Sequence, residues 1–399
     1  MRYLFVTMDG GGNLYPELAL ASRLAGRGHH VRFLGNRSQR QTIEQAGLAF
    51  APFRTAPDVD STGPDTTPVK DWEVDPDLAF TALCDHFWFG PAARIAADTT
   101  AECERAPVDA LAVDYFLYGA LAAAEQASLP TAALWHTTFG EFDVLNRGLP
   151  TFNAARAGIG LPPLASVFEQ FRRIDRVLVL TTESFDFAIT PLDLPANVRH
   201  VGPQLPDLAG ASGDRDRPAH GGGPPLALVA LSTTYQAQED LLGRVITALG
   251  NLDVRGLVTT GPAVRPPADV PANVEVRAWI PHAEVLPQAS LVITHAGMGT
   301  VMAAMAYGVP MICLPMGRDQ DGNAQRVERL GAGRVLPASS PAAVIAAAVR
   351  SALADPGLAD GARRQAAIVR ADTAADRAVA ELEALALTGA QLPSHADRG

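Results

Sequence analysis

Twice along this chain, apolar runs of strand length alternate with runs of helical pattern, and a stretch rich in Gly, Pro, Asp and Arg separates the two sets. This alternation limits the available folds more than any other feature, because strands joined through helices pair in parallel by right-handed crossovers and are covered on both faces. In the first set the strand-like runs are 2–7, 31–34, 110–114, 131–135, 177–180 and 198–201, with helical patterns at 15–25, 37–46, within 78–104 and within 117–126. In the second set they are 226–231, 256–259, 274–276, 291–294 and 311–314, with helical patterns at 241–249, 298–306, 342–354 and 374–387. The pattern predicts an α/β chain of two Rossmann-like domains, 1–204 and 226–373, joined by a linker at 205–225. Residues 374–399 read as a terminal helix and polar tail, the helix a candidate to pack back on the first domain. A ligand held between two such domains is expected where the carboxyl ends of the strands face each other. The Pro-, Asp- and Thr-rich segment 52–76 reads as a long loop.

Composition narrows the function classes. The 32 basic and 43 acidic residues give a net charge of −11, which disfavours broad attraction to nucleic acid or anionic membrane. Lys70 is the only lysine, a compositional bias from which no mechanism follows. The three cysteines, Cys84, Cys103 and Cys313, lack metal-ligand spacing and fit reduced packing residues. The N-terminal run reaches Asp9 before an apolar region of signal-peptide length can form, so a cytoplasmic protein is expected. Residues 285–317 contain no Asp, Glu, Lys or Arg and are long enough to span a bilayer. Pro287, Gly297, Gly299, Gly308, Pro310 and Pro315 divide that stretch into strand- and helix-sized pieces, so no membrane span is expected.

The most informative local feature is the passage from the strand ending at Thr294 through His295-Ala-Gly-Met-Gly-Thr300 into a helix. Glycines let backbone N–H groups approach a phosphate, and a helix N-terminus favours negative charge there. An ordinary strand-to-helix turn with His295 as a cap would look the same in isolation. Further motifs are Leu231-Ser-Thr-Thr234, Trp279-Ile-Pro-His282 with Leu286, Gly308-Val-Pro310 with Leu314-Pro315, and Asp319-Gln320 with Asn323-Ala324. Singly each has a structural alternative: Trp279 as core, and Ser232, Thr233 or Asp319 as helix caps.

In this order and spacing the motifs resemble the family 1 glycosyltransferases of GT-B fold, particularly actinomycete enzymes of antibiotic biosynthesis and most of all the calicheamicin-type enediyne glycosyltransferases. The resemblance covers nearly the whole chain and implies two facing Rossmann-like domains with an interdomain cleft. It implies an inverting, metal-independent transfer of a (deoxy)sugar from a nucleoside diphosphate, with dTDP favoured, to a hydrophobic acceptor such as an enediyne intermediate. The nucleotide sugar is then a substrate, and no cofactor is implied. By matching position, His295 with Gly297, Met298, Gly299 and Thr300 would contact the diphosphate, and Ser232 and Thr233 would face it. Trp279 and Ile280 would lie by the nucleobase, and Asp319 and Gln320 would bind sugar hydroxyls.

The N-terminal domain departs from the family pattern. Gly12-Asn-Leu-Tyr-Pro16 places Asn13 where the family has the histidine that acts as general base, and an amide takes up no proton near neutral pH. The acid that supports that histidine matches Asp114. Asp9 and His136, each at a strand end on the cleft side, are with Asp114 the other candidates for the base, directly or through water. Without a base, an acceptor group more acidic than an aliphatic alcohol is expected. Aromatic residues available to an acceptor are Trp72, Phe80, Phe87, Trp88, Phe89, Phe116, Tyr118, Phe139, Phe142 and Phe152, many of which could instead fill the core. Asp-x-Asp occurs at Asp58/Asp60, Asp75/Asp77, Asp214/Asp216 and Asp319/Asp321, and no metal site is expected from any of them. A non-catalytic sugar-nucleotide-binding partner protein and a nucleotide-sugar epimerase stay open as alternatives, as does a homodimer.

Overall fold

The computed structural model describes every residue except 61, 62, 64, 66–68, 71–74, 141, 142, 190–193, 206–222, 262, 263, 266, 268 and 391–399. Its first sheet contains β1 (Arg2–Val6), β2 (His30–Gly35), β3 (Ala49–Pro52), β4 (Ala110–Asp114), β5 (Thr131–Trp135), β6 (Arg176–Val179) and β7 (Val198–His200). These lie in the order β3-β2-β1-β4-β5-β6-β7, every pair parallel. The second sheet contains β8 (Leu226–Ala230), β9 (Arg255–Thr259), β10 (Val274–Arg277), β11 (Ala289–Thr294), β12 (Met311–Cys313) and β13 (Gly333–Val335). Its order is β10-β9-β8-β11-β12-β13, again all parallel.

Both sheets are covered on both sides, which explains why their central strands read as unbroken apolar runs. Side chains alternate across a strand, so Leu4, Val6 and Val113 join one core while Tyr3, Phe5 and Ala112 join the other. The second sheet divides likewise, with Leu228 and Val292 on one side and Val229 and Ile293 on the other. The last helix, Arg377–Ala390, returns to the first sheet. Ala378, Val379, Leu382 and Leu385 complete its core, and Tyr3 donates a hydrogen bond to the Leu382 carbonyl at 3.2 Å. Asp376 and Glu383 receive Arg27.

In each sheet the strand order reverses once along the chain, between β1 and β4 and between β8 and β11. Loops leaving these neighbours diverge to opposite faces and open a crevice at the carboxyl edge. That is where the candidate residues collect.

Several elements depart from the sequence expectation. The 78–104 region is interrupted: helix Pro76–Leu83 passes into a π turn, Cys84–Trp88, and Gly90-Pro91 precedes helix Ala92–Arg105. A Cβ on Gly90 would sit 1.8 Å from the Asp85 carbonyl oxygen, so only glycine permits this turn. The edge strands β3 and β13 were not anticipated: Ala-Phe-Ala-Pro and Gly-Arg-Val are partly exposed and carry no unbroken apolar run. Helix Pro356–Ala374 was not anticipated, although Asp355 accepts hydrogen bonds from the Gly357 and Leu358 amides and Pro356 occupies the first turn. The charge-free stretch resolves into β11, helix Met298–Ala306 and β12, and no single helix among the described residues is long and apolar enough to cross a membrane.

Candidate active site

On the C-terminal side, β8 and β11 end next to each other and present Ser232, Thr233 and His295 together. Ala296 has a left-handed φ of +69°, held by the Thr294 hydroxyl at its amide (3.1 Å) and by Asn323 Nδ2 at its carbonyl (3.0 Å). The turn delivers Gly297, Met298, Gly299 and Thr300 to the start of helix Met298–Ala306, whose first amides have no partners within the helix. Gly299 is exposed, and the Gly297 backbone lies against the His295 ring. Burial pushes His295 down to about 4, opposed by the Ala230 carbonyl and assisted by the Arg318 charge, so the imidazole is neutral at pH 7. Arg318 Nη1 donates to Thr234 Oγ1 at 2.7 Å, placing a cation by this loop. Thr233 is exposed, Ser232 is buried and shares a 2.9 Å hydrogen bond with Thr234, and Trp279 keeps 62% of its surface exposed beside the half-buried Ile280.

Asp319 and Gln320 part company. Gln320 is buried, its Oε1 accepting from the Met316 amide (2.8 Å) and its Nε2 donating to Gln236 Oε1 (2.9 Å), so its amide braces the loop. Asp319 is exposed and crosses the cleft: its Oδ2 accepts from Thr137 Oγ1 of the first domain at 2.8 Å and from Asn323 Nδ2 at 3.0 Å. The two domains also meet where Gly11, at φ +78°, packs on Thr234. A Cβ there would lie 2.3 Å from Thr234 Cγ2.

On the N-terminal side, the adjacency of β1 and β4 brings Asn13 to Asp114. Asn13 Nδ2 donates to Asp114 Oδ2 at 2.9 Å, and the Phe116 amide donates to Oδ1 at 3.0 Å. Asp114 is fully buried. Behind it lies His136, at the exit of β5, with Nε2 3.6 Å from Asp114 Oδ2 and 3.0 Å from Glu17 Oε1. Glu17, one helical turn beyond Asn13 and also fully buried, was not anticipated from the sequence. Burial raises Glu17 to about 8, against the Thr7 hydroxyl that favours its anion. Burial also raises Asp114 to about 6, the His136 charge acting the other way, and it lowers His136 against the pull of Asp114. Asp9 stays outside this cluster. Its carboxylate accepts from Ser38 Oγ at 2.7 Å and from the Gly11 amide at 3.4 Å, and so shapes the turn after β1.

Glu17, Asp114 and His136 are also the group, among the described residues, whose ligand atoms all fall within 4.8 Å of one another. Asp114 also accepts from Asn13 and the Phe116 amide, so two buried acids and an imidazole share one hydrogen-bonded cluster. Of the Asp-x-Asp pairs, Asp58 accepts from the Arg37 amide at 2.8 Å, and Asp214/Asp216 lie outside the described residues.

The aromatic residues divide by burial. Trp88 and Phe116 stack at 4.6 Å with ring planes 8° apart, and Phe80 meets Trp88 edge-on at 5.5 Å. Phe116 is two residues from Asp114, so this stack borders the cluster. Phe87 lines a recess with Met8, Phe53, Val59, Ile95 and Leu117. Phe89, Tyr118 and Phe152 do not line a cleft: they are at most 1% exposed and pack on one another as core, which corrects the expectation for them. Phe139 is likewise packed against Trp135, at 5.0 Å. Trp72 and Phe142 lie outside the described residues. Besides Glu17, sequence reasoning missed Thr137 and Arg318, whose signals were adjacency to His136 and to Asp319.

Comparison with known proteins gives a consistent result. Residues 243–385 match the family described as Erythromycin biosynthesis protein CIII-like, C-terminal domain. The 4'-demethylrebeccamycin synthase of Lentzea aerocolonigenes is 30% identical over 373 residues, 83% of this chain and 86% of that protein. Among solved structures, the glycosyltransferase of kitacinnamycin superposes with a TM-score of 0.76 at 24% identity over 96% of this chain and 98% of its own. A calicheamicin glycosyltransferase gives 0.72 at 22% identity, with coverage of 96% and 98%. The glycosyltransferase VinC, solved in complex with dTDP, gives 0.67 at 20% identity, with coverage of 97% and 100%.

Proposed function

The chain belongs to the family 1 glycosyltransferases of GT-B fold that act in antibiotic biosynthesis, and from that premise we propose that it moves a deoxysugar from dTDP to a nucleophilic group on a hydrophobic natural product, with inversion and without a metal. One observation carries the reading: the 2.8 Å hydrogen bond from Thr137, next to His136, to Asp319 bridges the domains, and Asn323 ties Asp319 to the Ala296 turn that leads into the anion-suited helix Met298–Ala306. A sugar bound at Asp319 lies between a leaving diphosphate and a nucleophile. The amides of Gly299 and Thr300, the neutral His295 and the Arg318 cation favour the charge that builds on the departing diphosphate. Trp279 offers an open face to the nucleobase. As the bond from the acceptor to the anomeric carbon forms, the bond to the diphosphate oxygen breaks, and attack from the opposite face inverts the centre. The parallel Trp88–Phe116 stack suits a flat apolar acceptor, and the dTDP preference draws on the dTDP complex of VinC. The test is a panel of nucleotide sugars and apolar acceptors read by mass spectrometry, with and without EDTA. Acceptor-dependent nucleotide release with a glycoside product, unchanged by EDTA, supports the proposal. A sugar altered without acceptor would replace transfer with epimerisation, and donor binding without turnover would replace it with a partner role.

A further inference from the structure

We propose that Glu17 positions His136 as the proton acceptor of the transfer, filling the role left open by Asn13. The inference rests on the transferase reading above. Asn13 cannot take the proton, and both Asp114 oxygens are already engaged, Oδ2 by Asn13 and Oδ1 by the Phe116 amide. His136 is placed differently. It follows β5 directly, and its neighbour Thr137 bonds Asp319, the residue assigned to the donor sugar. The imidazole is thus one residue from the contact that bridges the two domains.

The two ring nitrogens have unequal surroundings. Nε2 is 3.0 Å from Glu17 Oε1 and 3.6 Å from Asp114 Oδ2, whereas Nδ1 is buried and has no hydrogen-bond partner. A carboxyl accepting from Nε2–H fixes the tautomer whose lone pair is on Nδ1. The arrangement is a histidine–acid pair with nitrogen roles opposite to those of a serine-protease triad. The acceptor's proton passes to Nδ1 as its oxygen or nitrogen bonds the anomeric carbon and the diphosphate leaves. The resulting imidazolium is balanced by the Asp114 carboxylate 3.6 Å away. Glu17 has no other evident use at this place: it is a wholly buried acid on a helix face that otherwise packs Leu14, Leu18 and Ala21, and its Oε2 has no partner. The groups facing His136 are Glu17 from the first helix, Asp114 and Tyr115 from the end of β4, and, through its neighbour Thr137, Asp319 of the second domain.

The experiment uses the full chain and two acceptors, an aliphatic alcohol and a phenol, with dTDP affinity as the control for folding. His136→Gln is expected to lose about 10²–10⁴-fold in kcat on the alcohol and far less on the phenol, whose own acidity replaces the base, while dTDP affinity is kept. Glu17→Gln copies the shape of the protonated acid, so it should fold. It keeps an oxygen to accept from Nε2–H and is expected to stay within about threefold of wild-type, with its pH–rate profile unchanged, whereas Glu17→Leu removes that acceptor and is expected to lower kcat about tenfold with KM unchanged. Adding Asn13→His to His136→Gln returns a base beside Asp114 and should restore part of the lost rate. A His136→Gln enzyme within threefold of wild-type on the alcohol would overturn the proposal, as would a Glu17→Leu enzyme with wild-type kcat on the alcohol. A wild-type chain that binds dTDP and turns over no acceptor would overturn the transferase reading itself, a result distinct from both.

Discussion

Asp319→Ala tests the donor site most directly, because Asp319 is exposed and spans the cleft. Its Oδ2 holds two donors, Thr137 Oγ1 at 2.8 Å and Asn323 Nδ2 at 3.0 Å. A sugar hydroxyl entering the cleft either displaces Thr137 or takes the second carboxylate oxygen, so the net gain on binding is about one hydrogen bond to a charged acceptor. Such a bond contributes about 1.5–3 kcal/mol, which corresponds to a roughly 10- to 150-fold loss of affinity for the sugar nucleotide in Asp319→Ala. The free nucleoside diphosphate lacks the sugar hydroxyls and should bind the variant within about twofold of wild-type. Thr137→Ala separates the sugar contact from the bridge. It removes the hydroxyl that competes for Asp319, so sugar-nucleotide affinity should be equal or higher. Isothermal titration with both ligands against the three proteins reads all of these values. Equal losses for the two ligands in Asp319→Ala, or a loss in Thr137→Ala as large as in Asp319→Ala, would refute the assignment.

Three further outcomes follow from the same geometry. His295→Ala removes the buried neutral imidazole from the proposed diphosphate site and should lower donor kcat/KM by about 10- to 150-fold, equivalent to 1.5–3 kcal/mol; an unchanged value in steady-state kinetics would remove His295 from the site. Asn13→Ala takes one donor from Asp114 and no base from the reaction, so kcat should fall by less than about tenfold, and a larger loss would make Asn13 essential to the chemistry. Glu17 has its folded value raised from 4.5 to about 8, so the folded chain keeps a proton that the unfolded chain has lost between those values. Its contribution to stability is present below about pH 4.5 and is lost as pH rises through 8, so Glu17→Gln should gain stability relative to wild-type between pH 5 and pH 9 in urea unfolding, and a pH-independent difference would count against a buried, proton-holding Glu17.

The sequence by itself determined the parts of this protein that are written locally. Strands such as Leu226–Ala230 and Ala289–Thr294 are apolar throughout because both sheet faces are covered, and this reads directly as parallel α/β structure. The His295-to-Thr300 turn is likewise contiguous, so its suitability for an anion can be read from the chain alone. The edge strands β3 and β13 were not fixed in this way, since Ala-Phe-Ala-Pro and Gly-Arg-Val carry no apolar run, and the return of the last helix was only a candidate pairing because distant contacts leave no local trace. The tertiary structure alone decided which residues meet. Asn13 and Asp114 are 101 residues apart, Glu17 and His136 are 119 apart, and Thr137 and Asp319 are 182 apart. It also sorted the aromatics, because an amino-acid type gives the same apolar surface to a cleft-edge Phe116 and to a core Phe152. Only the order of strands around β1 and β4 puts one at the crevice and the other inside the fold. Most consequential is Glu17, a helix residue like any other in the sequence, which burial beside His136 turns into a partner for proton transfer.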